Sequence, residues 1–166
     1  MVTAFEGPQR IASGPLNAVS RRVRELMKAG FPVLVFDDAT GRIVDLDLRQ
    51  TEETPTPRGR PKLGVTAREV TLLPRHWEFL SAQGGGASAA LRRILDEAMA
   101  SPAALRRAAQ EAAYRFMTAM GGDLPGYEEA TRALFASDEG RFAQHTQTWP
   151  ADLRDYARTL AGGAFS

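Results

Sequence analysis

Apolar residues return along the chain in distinct rhythms, and each rhythm predicts an element. Leu16, Val19, Val23, Leu26 and Met27 recur every three or four residues, which places them on one face of a helix. Arg21, Arg22 and Arg24 fall on the opposite face, and Gly30 stands where a helix-ending residue belongs. Residues 2–5 and 9–12 predict short strands around Gly7-Pro8. Residues 31–36 form a valine-rich apolar run of the kind a buried strand carries. After the turn residues Asp38-Ala39-Thr40-Gly41 the pattern alternates over 43–49. Val44, Leu46 and Leu48 lie on one side and Asp45, Asp47 and Arg49 on the other, which predicts a hairpin with a solvated face.

The rhythm stops at Gln50. Residues 50–64 are proline-rich and polar without periodicity, the composition of an extended linker. A strand is expected over 65–73. A short helix opens at Pro74 and is broken by Gly84-Gly85-Gly86, with Trp77 and Leu80 sharing a core face. Ser88 is expected to cap a second helix running to Met99, with Leu91, Ile94, Leu95 and Ala98 turned inward. From Ser101 onward the pattern is helical. Pro102 suits the first position of a long helix to about Met120, ended by Gly121-Gly122, in which Tyr114, Phe116 and Met117 read as packing residues. Shorter helices follow over 127–136 and 151–160. The predicted fold class is α+β: an N-terminal α/β module with a hairpin (1–50), a basic linker (51–64), a central strand–helix–helix segment (65–100) and a helical tail (101–166).

Composition narrows the setting. In 166 residues, 43% are hydrophobic, enough for a packed core. The absence of cysteine excludes disulfides and thiolate metal sites. No apolar run reaches the ~18 residues of a membrane span, and the first residues lack a signal-peptide core, so a cytoplasmic location is expected. The net charge of +1 is unevenly spread: residues 51–110 hold 9 basic and 6 acidic side chains, residues 111–166 hold 5 and 8. A basic middle beside an acidic tail directs attention to the linker.

There, Pro57-Arg58-Gly59-Arg60-Pro61-Lys62 resembles the AT-hook, whose core is Pro-Arg-Gly-Arg-Pro. Gly59 has no side chain, so its backbone can lie deep in a narrow minor groove while Arg58 and Arg60 extend along the groove floor, where A·T-rich DNA concentrates negative potential. The prolines keep the segment extended and lower its ordering cost. Lys62, Arg68 and Arg75 would neutralise phosphates. Arg68-Glu69-Val70-Thr71-Leu72-Leu73, Pro74, Gly84 to Gly86 and the run from Ser88 to Leu95 resemble the ribbon-helix-helix DNA-binding superfamily. The resemblance implies a homodimer whose two strands form one ribbon in the major groove, with the start of the second helix, at Ser88, holding a phosphate. Of the three positions that carry outward polar residues in that superfamily, Arg68, Val70 and Leu72 here, only Arg68 is polar. Residues 58–80, together with Ala113-Tyr114-Arg115-Phe116-Met117 and residues 122–130, resemble a bacterial family known only as a domain of unknown function.

Other residues carry blander readings. Asp37, Asp38, Asp45 and Asp47 cluster around the hairpin and could hold a hard cation, although turn preference and strand alternation account for three of them. His76 and His145 are too far apart in sequence to read as a zinc pair. Arg92-Arg93 and Arg106-Arg107 read as solvated faces. With no phosphate loop, nucleophile elbow or HExxH, the expectation is a DNA-binding protein without cofactor or metal rather than an enzyme. Two alternatives stay open: a protein-interaction module with a solvated basic linker, and a metal-dependent enzyme on the aspartate hairpin.

Overall fold

A computed structural model describes residues 1–28, 32–46, 66 and 68–166. Strands β1 (Val2–Glu6), β2 (Gln9–Gly14) and β3 (Val33–Asp37) form an antiparallel sheet in the order β2-β1-β3. Helix α1 (Leu16–Lys28) connects β2 to β3, and α2 (Pro74–Ser81), α3 (Ala87–Met99), α4 (Pro102–Gly121), α5 (Tyr127–Phe135), α6 (Glu139–His145) and α7 (Ala151–Ala161) follow. The fold class is α+β.

The chain divides into two compact units. One joins Met1–Arg49 to Pro102–Ser166, and the other is the inserted stretch Gln50–Ser101. The N-terminal and C-terminal segments, distinct in sequence pattern, thus share one core. The reason is the sheet's central strand, which is buried on both faces. Successive side chains of a strand point to opposite sides. Val2 and Ala4 of β1 and Val35 of β3 pack with Val19 and Val23 of α1. Phe5 and Phe36 face the other way, into a core made with α4, α5, α6 and α7. At its centre four rings meet: Phe116 lies 5.3 Å from Phe5, 5.0 Å from Phe36 and 4.7 Å from Tyr156, centroid to centroid. Such tilted and edge-to-face pairs add to the area they bury.

The hairpin of β3 is partly formed. Its turn closes through Asp37 N–H to Arg42 O (2.9 Å) and Gly41 N–H to Asp37 O (2.8 Å). The returning strand expected over 43–49 is reduced to one bridge, Phe36 to Ile43, and a single bond from Val44 N–H to Val35 O. Val44 and Leu46 still pack on the α1 side, so the alternation carries the burial without the ladder; residues 47–49 lie outside the described ones. The register of β1 with β2 slips between Ala4 and Phe5, leaving Ile11 as an extra residue. The Arg10 N–H displaced there donates to Asp152 Oδ2 of α7 at 2.8 Å.

The tail follows its sequence pattern except at α6. DEGRFAQH has one strong apolar residue, Phe142, and no periodicity to read. The available signal was the cap: Asp138 accepts from Arg141 N–H at 3.0 Å. Phe116 and Met117 are core, whereas Tyr114 is partly exposed and rests edge-on against Phe135. No described helix is long and apolar enough to cross a membrane.

The Asp37–Gly41 turn is clamped between two helices. Gly41 has φ +63°, and a Cβ there would lie 2.0 Å from the Ala112 carbonyl oxygen of α4. Gly41→Ala should therefore cost about 2–5 kcal/mol, from left-handed strain plus overpacking. Tyr156→Phe, which removes one donor to Asp38, should cost about 1 kcal/mol. Urea unfolding checks both, and wild-type stability in the Gly41→Ala protein would show that the turn does not abut α4.

Candidate nucleic-acid interface

The hook residues Arg58, Gly59, Arg60, Pro61 and Lys62, and Val65 and Ala67 of the expected strand, lie outside the described residues. The remaining predicted residues, Arg68, Arg75 and Ser88, all belong to the inserted unit and all are exposed.

The strand expected over 65–73 is not formed at residues 68–73. A strand exists only as a hydrogen-bonded pair, and none of these residues pairs with another described segment. Leu73 ends the stretch in extended geometry (φ −68°, ψ 153°) and acts as the N-cap of α2, with Pro74 at the first helical position. Proline fits because the N–H it lacks would be unpaired in a first turn. Arg75 and His76 follow at once, so this helix start carries exposed basic side chains and no acid.

Ser88 does not cap α3. Gly86 occupies the N-cap with φ 82° and ψ 165°, a conformation open to glycine, and Ser88 is the second residue of the helix. The glycine run thus both breaks α2 and starts α3. The first turn of α3 holds no acidic residue, so its unpaired N–H groups and positive helix end are uncompensated. Such an end suits a phosphate. Arg93 is spoken for, donating to Gln83 Oε1 at 3.1 Å and pairing with Glu97 at 3.9 Å.

The helix pair has little core of its own. Leu80 and Ala90 are its buried residues among those described. Trp77, expected inside, is 46% exposed, and Phe79 is 56% exposed. Leu95 and Ala98, also expected inside, are exposed; the covered residues of α3 are Ala90, which is buried, and Ala87, Ala89, Leu91 and Ile94, which are half-buried. Val70, Leu73 and Met99 complete a set of large exposed apolar side chains. Trp77 and Phe79, two residues apart on a helix, cannot both face one neighbour.

The aspartate hairpin is engaged otherwise. Asp37 Oδ1 accepts from Ala39 N–H, Thr40 N–H and Thr40 Oγ1–H at 3.2, 2.9 and 2.8 Å. Asp38 Oδ1 accepts from Thr3 Oγ1–H and Tyr156 O–H, both at 2.8 Å. Asp45 is exposed, and Asp47 lies outside the described residues. Among the described residues no three His, Cys, Asp or Glu side chains gather to hold a metal. The Thr40 hydroxyl and the turn's N–H groups hold Asp37 below its ordinary pKa of 3.8. Burial, and then the Asp38 carboxylate, push Tyr156 well above the ordinary tyrosine range, so it stays a neutral donor.

A depressed folded pKa contributes stability that is present above 3.8 and is lost as pH falls through the folded value. Wild type should exceed Asp37→Asn in stability by a constant margin from pH 7 to about pH 5, and the margin should shrink as pH falls below 3.8 and through the lowered folded value. Urea midpoints across that range test it, and a margin that grows on acidification would refute the assignment.

No curated protein and no solved structure matches the chain. Among family descriptions, residues 1–161 match "Uncharacterized protein conserved in bacteria (DUF2239)".

Proposed function

We propose that this chain, which belongs to that uncharacterized bacterial family, is a DNA-binding protein that acts as a pair of chains. The observation that carries the reading is the sequence Pro57-Arg58-Gly59-Arg60-Pro61-Lys62 set directly ahead of a helix pair whose two starts suit phosphate. Arg58 and Arg60 occupy the minor groove of A·T-rich duplex, Gly59 lets the backbone descend between the phosphate walls, and Pro61 keeps the tether extended. Lys62, Arg68 and Arg75 neutralise phosphates beside the groove, and the first-turn N–H groups at Ala87 and Ser88 hold one more. Exposed Val70, Leu73, Trp77 and Phe79 support the paired state, since apolar surface of that extent is covered in most soluble proteins.

The same apolar set favours a second reading, in which the inserted unit docks another protein and the tether is a solvated linker. Deleting residues 52–62 separates the two: DNA retention is lost under the first reading, while capture of a protein partner survives under the second.

In gel shifts at low salt the full chain should prefer A·T-rich over G·C-rich duplex. Arg58→Ala with Arg60→Ala should remove that preference and flatten the slope of log K against log salt by about 1.8, two phosphates at about 0.9 each. Equal and negligible retention of both duplexes by the wild-type chain would end the proposal.

A further inference from the structure

We infer that the outer face of α3 is a self-association seam, on which a second copy of this chain lies antiparallel. The inference deepens the paired state proposed above and rests on it. Helix α3 has two faces. Its covered residues are Ala90, which is buried, and Ala87, Ala89, Leu91 and Ile94, which are half-buried. Round the helix by about 120° from the arc of Ala87, Ala90, Leu91 and Ile94 stand Ser88, Arg92, Leu95 and Met99, all exposed, with Met99 exposed to 70%. Their spacing of four, three and four residues is that of a two-helix seam, in which such positions form one continuous stripe.

The stripe is complementary to itself in one direction only. Laid antiparallel, Met99 sits over the small Ser88 of the second copy, and Leu95 sits over the aliphatic stem of its Arg92. Asp96 is one residue beyond Leu95, about 1.5 Å along the axis, which brings it beside that same Arg92 guanidinium. The two-fold then repeats every contact. Laid parallel, Met99 would meet Met99 and Arg92 would meet Arg92, placing like charges together.

Two features within the single chain agree. Asp96 and Glu97 lie near the C-terminal end of α3, where the helix dipole disfavours acids, and no basic residue occupies the last turn. Glu97 is paired with Arg93, whereas Arg92 and Asp96 form no ion pair among the described residues. Arginine preceding aspartate by four is also the less favourable order for a pair on one helix. An antiparallel neighbour supplies the missing cation. Only the Ser88 side chain is covered, so the first-turn N–H groups keep their place at the helix end.

The test is the mass of the full chain by sedimentation, using two charge reversals at solvent-facing positions. Arg92→Asp and Asp96→Arg should each weaken the dimer about tenfold or more, since each sets like charges across the seam twice. Mixing the two variant chains should restore association to within about threefold of wild type. In the mixed pair both contacts are again between opposite charges, whereas each variant's own helix still carries two like ones. Recovery on mixing therefore cannot come from repair within a helix. A wild-type dimer whose variants associate equally well, or whose mixture does not recover, overturns the seam. A wild-type chain that is monomeric at every concentration overturns both the seam and the paired state. Dimers that behave as expected but retain no DNA leave the seam standing and remove the DNA-binding reading.

Discussion

Gly41 passes so close to the carbonyl of Ala112 that no side chain fits between them, and the larger unit is arranged around that contact. The turn it belongs to ends β3, and its neighbour Asp38 accepts hydrogen bonds from Thr3 of β1 and Tyr156 of α7 on a single oxygen. Arg115 of α4 adds a bond to Thr40 O at 3.0 Å. One five-residue turn thereby ties the sheet to two tail helices through polar groups that would be costly to bury unpaired. The Phe5, Phe36, Phe116 and Tyr156 rings fill the space this fastening encloses.

The fastening also explains why the chain can carry an insertion. Residues 1–49 and 102–166 meet across a sheet whose central strand is covered on both sides, so their association does not depend on the residues between them. Loop-closure entropy grows only slowly with length, and an inserted segment is tolerated where the two flanking parts bind each other well. The inserted helix pair is the opposite case. With Leu80 and Ala90 as its buried residues among those described, it leaves apolar side chains in water that a self-sufficient unit would enclose.

Much of the local structure was legible in the sequence. The spacing of Leu16, Val19 and Val23 marks α1, Pro102 marks the start of α4, and Pro74 with the Gly84–Gly86 run marks the ends of α2. These signals work because they arise within one turn of backbone. Helix α6 escaped because a seven-residue helix with one apolar anchor has no period to detect. The inward assignments of Trp77, Leu95 and Ala98 failed because periodicity says which residues share a face, not whether anything covers that face. Ser88 misled because the helix begins two residues earlier, at Gly86, whose φ of 82° favours glycine over any side-chain cap.

The sequence by itself determined helices α1 to α5 and α7, the three strands of the sheet and the basic, proline-rich character of residues 57–62, since each depends on side-chain size, charge or backbone freedom at adjacent positions. Only the tertiary structure decided that the first and last segments form one unit, that Asp37 and Asp38 are occupied in fastening it, and that the outer face of α3 stands open. The union of the two segments and the anchoring of Asp38 depend on groups more than 70 residues apart along the chain, as with Thr40 and Arg115 or Asp38 and Tyr156, and no local pattern encodes which distant surface a side chain will meet.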